Sequence, residues 1–222
     1  MLTYVYNDDG TQPMLHVRLG HVREDLERWV GWILETPVQA YVACTAHPEI
    51  CWHDTQAGER YGARPGVRLT RPSEWLRVQA QNELIVQGTD MVRVMAERVR
   101  AHGKVFLAGM RMSDAHHRST GDREPHEHPL FSQFALDHPE YRMKRRDGRL
   151  DVTLDYSFEE VRRHRLAILA ELVRDYPVDG LELDFMRFCS HFPRPATDEH
   201  VAVMTDFVRA ARGIMDEQGK PW

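Results

Sequence analysis

The feature that most restricts the fold of this 222-residue chain is a strand-then-helix alternation repeated along it. Short apolar runs are each followed by a stretch with helical apolar spacing, a pattern that favours a parallel sheet with helical crossovers. The first strand covers 2–7 and is closed by Asp8-Asp9-Gly10. A helix over 21–35 places Val22, Leu26, Trp29, Val30 and Ile33 on one stripe. Thr36-Pro37 ends it, because the residue before a proline avoids the helical region. The second strand is 38–44, and a long aromatic and charged loop through Trp52, His53, Tyr61 and Trp75 follows it. The next major helix, 90–102, has Gly103 as its C-terminal cap. Strand three is 104–112, and a connection rich in His, Asp, Arg and Pro runs from Ser113 to about Tyr156. Helix three, 157–175, takes Ser157 as N-cap with Glu160 completing a capping box. Strand four is 181–188 and helix four 198–218.

No glycine-rich turn follows any strand, so the dinucleotide fingerprint is absent. Long βα loops on one side suit a barrel, whose active site they build at the C-terminal face. The expected fold is therefore α/β, a (β/α)8 TIM barrel represented by its first four or so βα units. The chain is expected to be one domain over 1–222, with the C-terminal strands of the barrel missing. Strands one and four would then have open edges, which favour self-association.

Composition narrows the partners. A net charge of −5 argues against a phosphate-backbone binder, and the basic run Arg142 to Arg146 reads as a solvated loop. Three cysteines, Cys44, Cys51 and Cys189, form no paired framework and no thiolate metal motif. No run approaches the ~20 apolar residues of a membrane span, and no leader is visible, which makes a cytoplasmic location the default. Of the 13 histidines, His116, His117, His126, His128 and His138 crowd one loop, but without a helical HExxH pair. A G-x-S-x-G nucleophile elbow is also absent.

The most informative segment is Tyr176 to Phe188. Strand alternation puts Leu181, Leu183 and Phe185 on one face and Glu182, Asp184 and Met186 on the other. A buried carboxylate needs a partner or a purpose, so two on one strand imply a site or an ion-pair network with Arg111 or Arg187. At the end of strand three, Gly109 leaves room for a large neighbour and Arg111 can clamp a carboxylate with its fork. Asp114 and His116 sit over that strand end, and Asn7 and Asp8 close the first strand. Trp52, Tyr61, Trp75, Phe131 and Phe134 either stack on sugar faces at the mouth or form a satellite core under the loops.

Four stretches resemble a group of bacterial glycoside hydrolase-like barrel proteins, family-10-like and frequent in planctomycetes. They are Tyr6 to Gly10, Gly109 to His116, Leu154 to Ser157, and Val178 to Arg187. The resemblance implies a TIM barrel with a second catalytic carboxylate beyond this chain. The last stretch also looks like the signature of chitinase-type family 18 hydrolases. The position of that signature's catalytic Glu is Met186 here, which puts substrate-assisted chitin cleavage in doubt.

The expected function is hydrolysis of a poly- or oligosaccharide by a carboxylate pair. Asp184 and Glu182 are the catalytic candidates, and Asn7, Asp8, Arg111, Asp114, His116 and Arg187 the substrate-binding ones. No metal and no cofactor is expected. The alternatives are a carbohydrate-binding barrel without catalysis and a metal-dependent hydrolase using the loop histidines.

Overall fold

The computed structural model describes residues 3–118 and 122–221. In chain order these form β1 (Val5–Asp8), α1 (Val22–Leu34), β2 (Ala40–His47), β3 (Ile50–Cys51), β4 (Glu59–Arg60), α2 (Pro72–Val86) and α3 (Met91–Ala101). There follow β5 (Val105–Arg111), α4 (Gln133–Asp137), β6 (Arg142–Lys144), β7 (Leu150–Leu154), α5 (Glu159–Asp175), β8 (Gly180–Asp184) and α6 (Asp198–Glu217). The result is a mixed α/β fold with a parallel sheet and six α-helices among the described residues.

Strands β1, β2, β5 and β8 lie side by side and parallel, in the order the chain makes them. Cys44, Gly109 and Glu182 stand at one level of this sheet, and Arg111 and Asp184 at the next. Residues at one level point to one face. One face carries Tyr41, Ala43, Phe106, Ala108 and Met110, all fully buried against the helices. The other carries Asn7, Val42, Cys44, Gly109, Arg111, Glu182 and Asp184.

Helix α1 buries Val22, Leu26, Val30 and Leu34 on one stripe, and each such side chain contributes about 1.5–3 kcal/mol. It packs on α3, whose N-cap Asp90 accepts the Arg93 N–H at 2.9 Å, and α5 packs on α6. Among the described residues no helix is long and apolar enough to cross a membrane.

Several elements differ from expectation. Strand β2 continues to His47 across a bulge at Thr45, whose hydroxyl donates to the Gly109 carbonyl at 3.0 Å. Its extra residues pair with β3. Helix α2 occupies what looked like loop. Its buried positions are Glu74, Ala80, Gln81 and Leu84, and Arg123 donates to Glu74 at 2.7 Å, so an ion pair replaces part of the apolar stripe. The basic run is no simple loop: β6 and β7 form a hairpin around Asp147-Gly148. Phe131, Ala135, Val152, Leu154 and Val161 make a second small core beneath it.

Helix α5 begins at Glu159 rather than Ser157, with no side-chain cap. The Ser157 N–H is taken by the Asp155 carboxylate at 2.8 Å, which holds that residue in a turn. Strand β8 ends at Asp184, because the Asp184 carboxylate accepts the Met186 N–H at 2.8 Å and turns the chain. Met186 therefore leaves the sheet and is 85% exposed. Of the loop aromatics, Trp52, Tyr61 and Phe131 are core residues, Phe134 is partly buried on the second cluster, and Trp75 is exposed.

Candidate functional site

The site forms where β1, β5 and β8 end. Gly109 has no side chain at the level of Glu182, and a Cβ there would lie 2.6 Å from Glu182 Oε2. Glycine thus opens the space in which the Glu182 carboxyl rests. Asn7, exposed on β1, donates from Nδ2 to Glu182 Oε1 at a long 3.4 Å. Burial pushes the Glu182 carboxyl up, and the neighbouring charge of Asp184 pushes it further. The bond from Asn7 and the charge of Arg111 oppose them too weakly, so Glu182 titrates at about 7. Asp184, one level further toward the strand end, is half-buried.

Arg111 does not clamp either of these carboxylates. Its guanidinium, 3% exposed, donates from Nη1 to Asp114 Oδ2 at 2.7 Å and from Nη2 to Asp9. Arg187 donates to the other oxygen of Asp9 at 2.6 Å. Asp9 therefore bridges two arginines and ties the end of β1 to the ends of β5 and β8. Burial raises the Asp9 carboxyl, but Arg111 and then Arg187 outweigh it and hold it below the usual range. Burial likewise opposes ionisation of Asp114, yet hydrogen bonds from His116 hold its carboxyl well below the usual range. The His116 backbone N–H and ring Nδ1 each lie 2.9 Å from Asp114 Oδ1. The His116 ring stays 45% exposed and meets Phe188 edge-on at 5.1 Å.

Asp8 stands apart from the other expected site residues. Its carboxylate lies on the helix side, 2% exposed, and accepts the Gly10 N–H at 2.9 Å, the Trp29 Nε1–H at 3.2 Å and the Tyr41 hydroxyl. Asp9, not singled out from the sequence, takes its place. Strand alternation was the available signal, since Asn7 and Asp9 share a face that Asp8 does not. Gly10 makes the turn possible. Its φ is +74°, and a Cβ would lie 2.1 Å from the Cys44 carbonyl oxygen.

A buried polar layer supports the loops behind the site. Arg165, 2% exposed, donates to Glu49 Oε1 from Nη2 at 2.6 Å and to the Met112 carbonyl from Nη1 at 3.1 Å. Its guanidinium lies 4.3 Å from the Tyr156 ring, and the Tyr156 hydroxyl donates to the same carbonyl at 2.9 Å. His47, wholly buried beside Arg111, is pushed down to about 3 by desolvation and then by that cation, so its ring is neutral. Among the described residues, no three His, Cys, Asp or Glu side chains are grouped so as to hold a metal ion. Of the loop histidines, His117 and His128 are buried with their rings 5.7 Å apart, His117 edge-on to Phe131, while His138 stacks on Tyr141.

No protein-family model matches the chain, and no curated protein matches it in sequence. Solved structures do resemble it. Alpha-L-fucosidase isoenzyme 2 from Paenibacillus thiaminolyticus superposes with a TM-score of 0.57 at 13% identity, over 100% of this chain and 32% of that one. A maltogenic alpha-amylase from Thermotoga neapolitana gives 0.54 at 14% identity, over 96% and 43%. An alpha-galactosidase from Thermus thermophilus gives 0.50 at 14% identity, over 96% and 37%. The chain thus spans less than half the length of each of these glycosidases, and what it shares with them at this identity is the fold.

Proposed function

We propose that this chain is the first half of a (β/α)8 barrel that hydrolyses glycosidic bonds, with Asp184 as one of its catalytic carboxylates. The observation that carries the proposal is the Glu182–Asp184 pair on the face of the sheet turned away from the helices. Parallel strands in sequential order, helices on one face and polar residues at the C-terminal strand ends match the way barrel sites are built. The glycosidase neighbours add support at the level of fold.

In this scheme Glu182 keeps its proton up to near-neutral pH, so Asp184 need not share the pocket with a second full negative charge. Asp184 then acts on the anomeric carbon, as nucleophile or as the base that activates water. Glu182 and Asp184 project from one strand to one side, so the carboxyl working from the opposite side of the sugar is supplied by a strand outside these four. Asn7 and His116 offer exposed polar groups for hydroxyls. Asp9, Arg111, Asp114 and Arg187, already bonded to one another, hold the strand ends in place.

The test is turnover of a panel of polysaccharides and aryl glycosides by the full-length protein carrying this chain, beside its Asp184→Asn variant. The variant is expected to lose about 10²–10⁴-fold or more in rate. Full activity in Asp184→Asn would remove Asp184 from the mechanism. A glycan-binding barrel without turnover is the second reading, favoured by the mutual pairing of Asp9, Asp114 and both arginines. It requires binding without hydrolysis, in the parent and the variant alike.

A further inference from the structure

A groove of about 740 Å³ lies between the β6–β7 hairpin and the segment that follows β8, within the range that small-molecule sites occupy. Phe158 and Phe192, both half-buried, contribute apolar surface to its wall. The hairpin supplies Arg142, Lys144, Arg145 and Arg146, and Arg194 comes from the segment after β8.

The charge of this groove is opposite to that of the chain. The whole chain carries −5, yet here five cations meet three carboxylates. Asp151 pairs with Arg145 within the groove at 3.5 Å, and all three carboxylates have further partners outside it. Asp151 is clamped by Arg118 at 2.8 and 2.7 Å, Asp155 accepts the Ser157 N–H at 2.8 Å, and Glu140 lies 3.1 Å from His138 Nδ1. The side chains of Lys144, Arg146 and Arg194 are exposed and make no hydrogen bond or ion pair with any described residue. Most other arginines around the site have a carboxylate partner, as Arg111, Arg118, Arg123, Arg165 and Arg187 do. Gathering unpaired cations on one hairpin is unfavourable through self-repulsion until an anion arrives.

The groove is joined to the strand ends. Ser113, beside Asp114, donates to the Ser190 carbonyl at 3.1 Å, and the His191 carbonyl accepts the Tyr156 N–H at 3.0 Å. Phe188 meets His116 in the same stretch. Ser190 of the groove wall is thus tied to the strand end that carries Asp114.

We propose that this groove is a subsite for a uronic-acid residue, so that the substrate is an acidic polysaccharide. Planar guanidinium forks match carboxylate geometry, and half-buried phenyl rings offer an apolar surface to the sugar's C–H face. The proposal rests on the glycosidase reading for the identity of the polymer, but binding can be measured without turnover.

The experiment is calorimetric titration of the 222-residue chain with trigalacturonic acid, with uncharged maltotriose, with a sulfated trisaccharide and with a short DNA duplex. The same titrations are run on a Lys144→Ala/Arg146→Ala/Arg194→Ala variant. Arg149→Ala, on the same hairpin but paired with Asp147, is the control. The acidic trisaccharide is expected to bind at least about 10-fold more tightly than the uncharged one, and the triple variant to lose that preference. Arg149→Ala is expected to keep it, and added salt to weaken it. Equal binding of charged and uncharged sugars, or a preference untouched by the triple variant, would overturn the subsite. So would DNA or the sulfated sugar binding as tightly as the uronate. Uronate binding without any hydrolysis in the full-length protein would keep the subsite and remove the hydrolase. Hydrolysis confined to neutral glycans would do the reverse.

Discussion

Replacing Glu182 by Gln tests the electrostatics of the site without reference to any substrate. Glu182 titrates at about 7 in the fold, against an ordinary value of 4.5. Below pH 4.5 the folded and unfolded chains both hold the proton, and the group contributes fully to stability. Between 4.5 and 7 the unfolded chain ionises while the folded one does not. Unfolding then releases a proton, so stability falls as pH rises, and the loss is complete above 7. For a wholly dry group the difference would be about 3 kcal/mol. Glu182 keeps part of its surface in solvent, and screening brings this to roughly 1–2 kcal/mol. Glutamine imitates the neutral acid and has no proton to lose. Glu182→Gln is therefore expected to match the parent near pH 4.5 and to exceed it by about 1–2 kcal/mol at pH 8. That corresponds to about 2–8 °C in Tm for a chain of this size. Urea denaturation of both proteins at half-unit intervals from pH 4.5 to 8.5 measures it. A difference that stayed constant across this range, or made the variant less stable at pH 8, would refute the reasoning.

Two further outcomes follow from the contacts around Asp9 and Gly10. Arg111→Ala removes the guanidinium from the Asp114 carboxylate, whose side chain is 0% exposed and keeps only its bonds from His116, and is expected to cost about 3 kcal/mol. Arg111→Lys should recover part of this by serving one carboxylate, and a loss under about 1 kcal/mol in urea denaturation of the alanine variant would contradict the bridging role. Gly10→Ala adds a Cβ to a left-handed residue against the Cys44 carbonyl, which cannot move without shifting β2. It is expected to destabilise by at least about 2 kcal/mol, and an unchanged denaturation midpoint would show that the turn relaxes.

Elements whose apolar period is undiluted could be read directly. Helices α1, α3 and α6 fall within one or two residues of their expected ends, and the four sequential parallel strands were also expected. Helix α2 was not, because Glu74 and Gln81 occupy buried positions and break the stripe. Its remaining signals were local: Pro72 at the first helical position and Glu74 in the first turn. The β6–β7 hairpin hid for a similar reason, since its strands are short and charged and only Asp147-Gly148 marks the turn. At the site, Glu182 and Asp184 emerged from strand alternation, and Gly109 does leave room for its neighbour. The partner of Arg111 could not be read. A guanidinium on β5 reaches several carboxylates, and which of them it takes depends on a turn after β1 that local spacing does not specify. Asp8 was misplaced because Asp-Asp-Gly reads as a turn, where either acid can face the site, whereas β1 in fact runs through Asp8 before turning.

The Glu49–Arg165 pair restricts how this chain can vary. Losing either member alone leaves the other as an uncompensated charge in a dry interior, at a cost of about 3–5 kcal/mol. That approaches the whole stability margin of an ordinary domain. A route through single substitutions therefore meets a barrier at both positions, and an apolar pair of similar volume is reachable only when both change together. Loops that hang from this pair, including the one carrying Asp114, can exchange exposed side chains while their anchorage stays constant. New specificities in such a scaffold would arise by changing side chains on a fixed frame, and rarely by moving the frame itself.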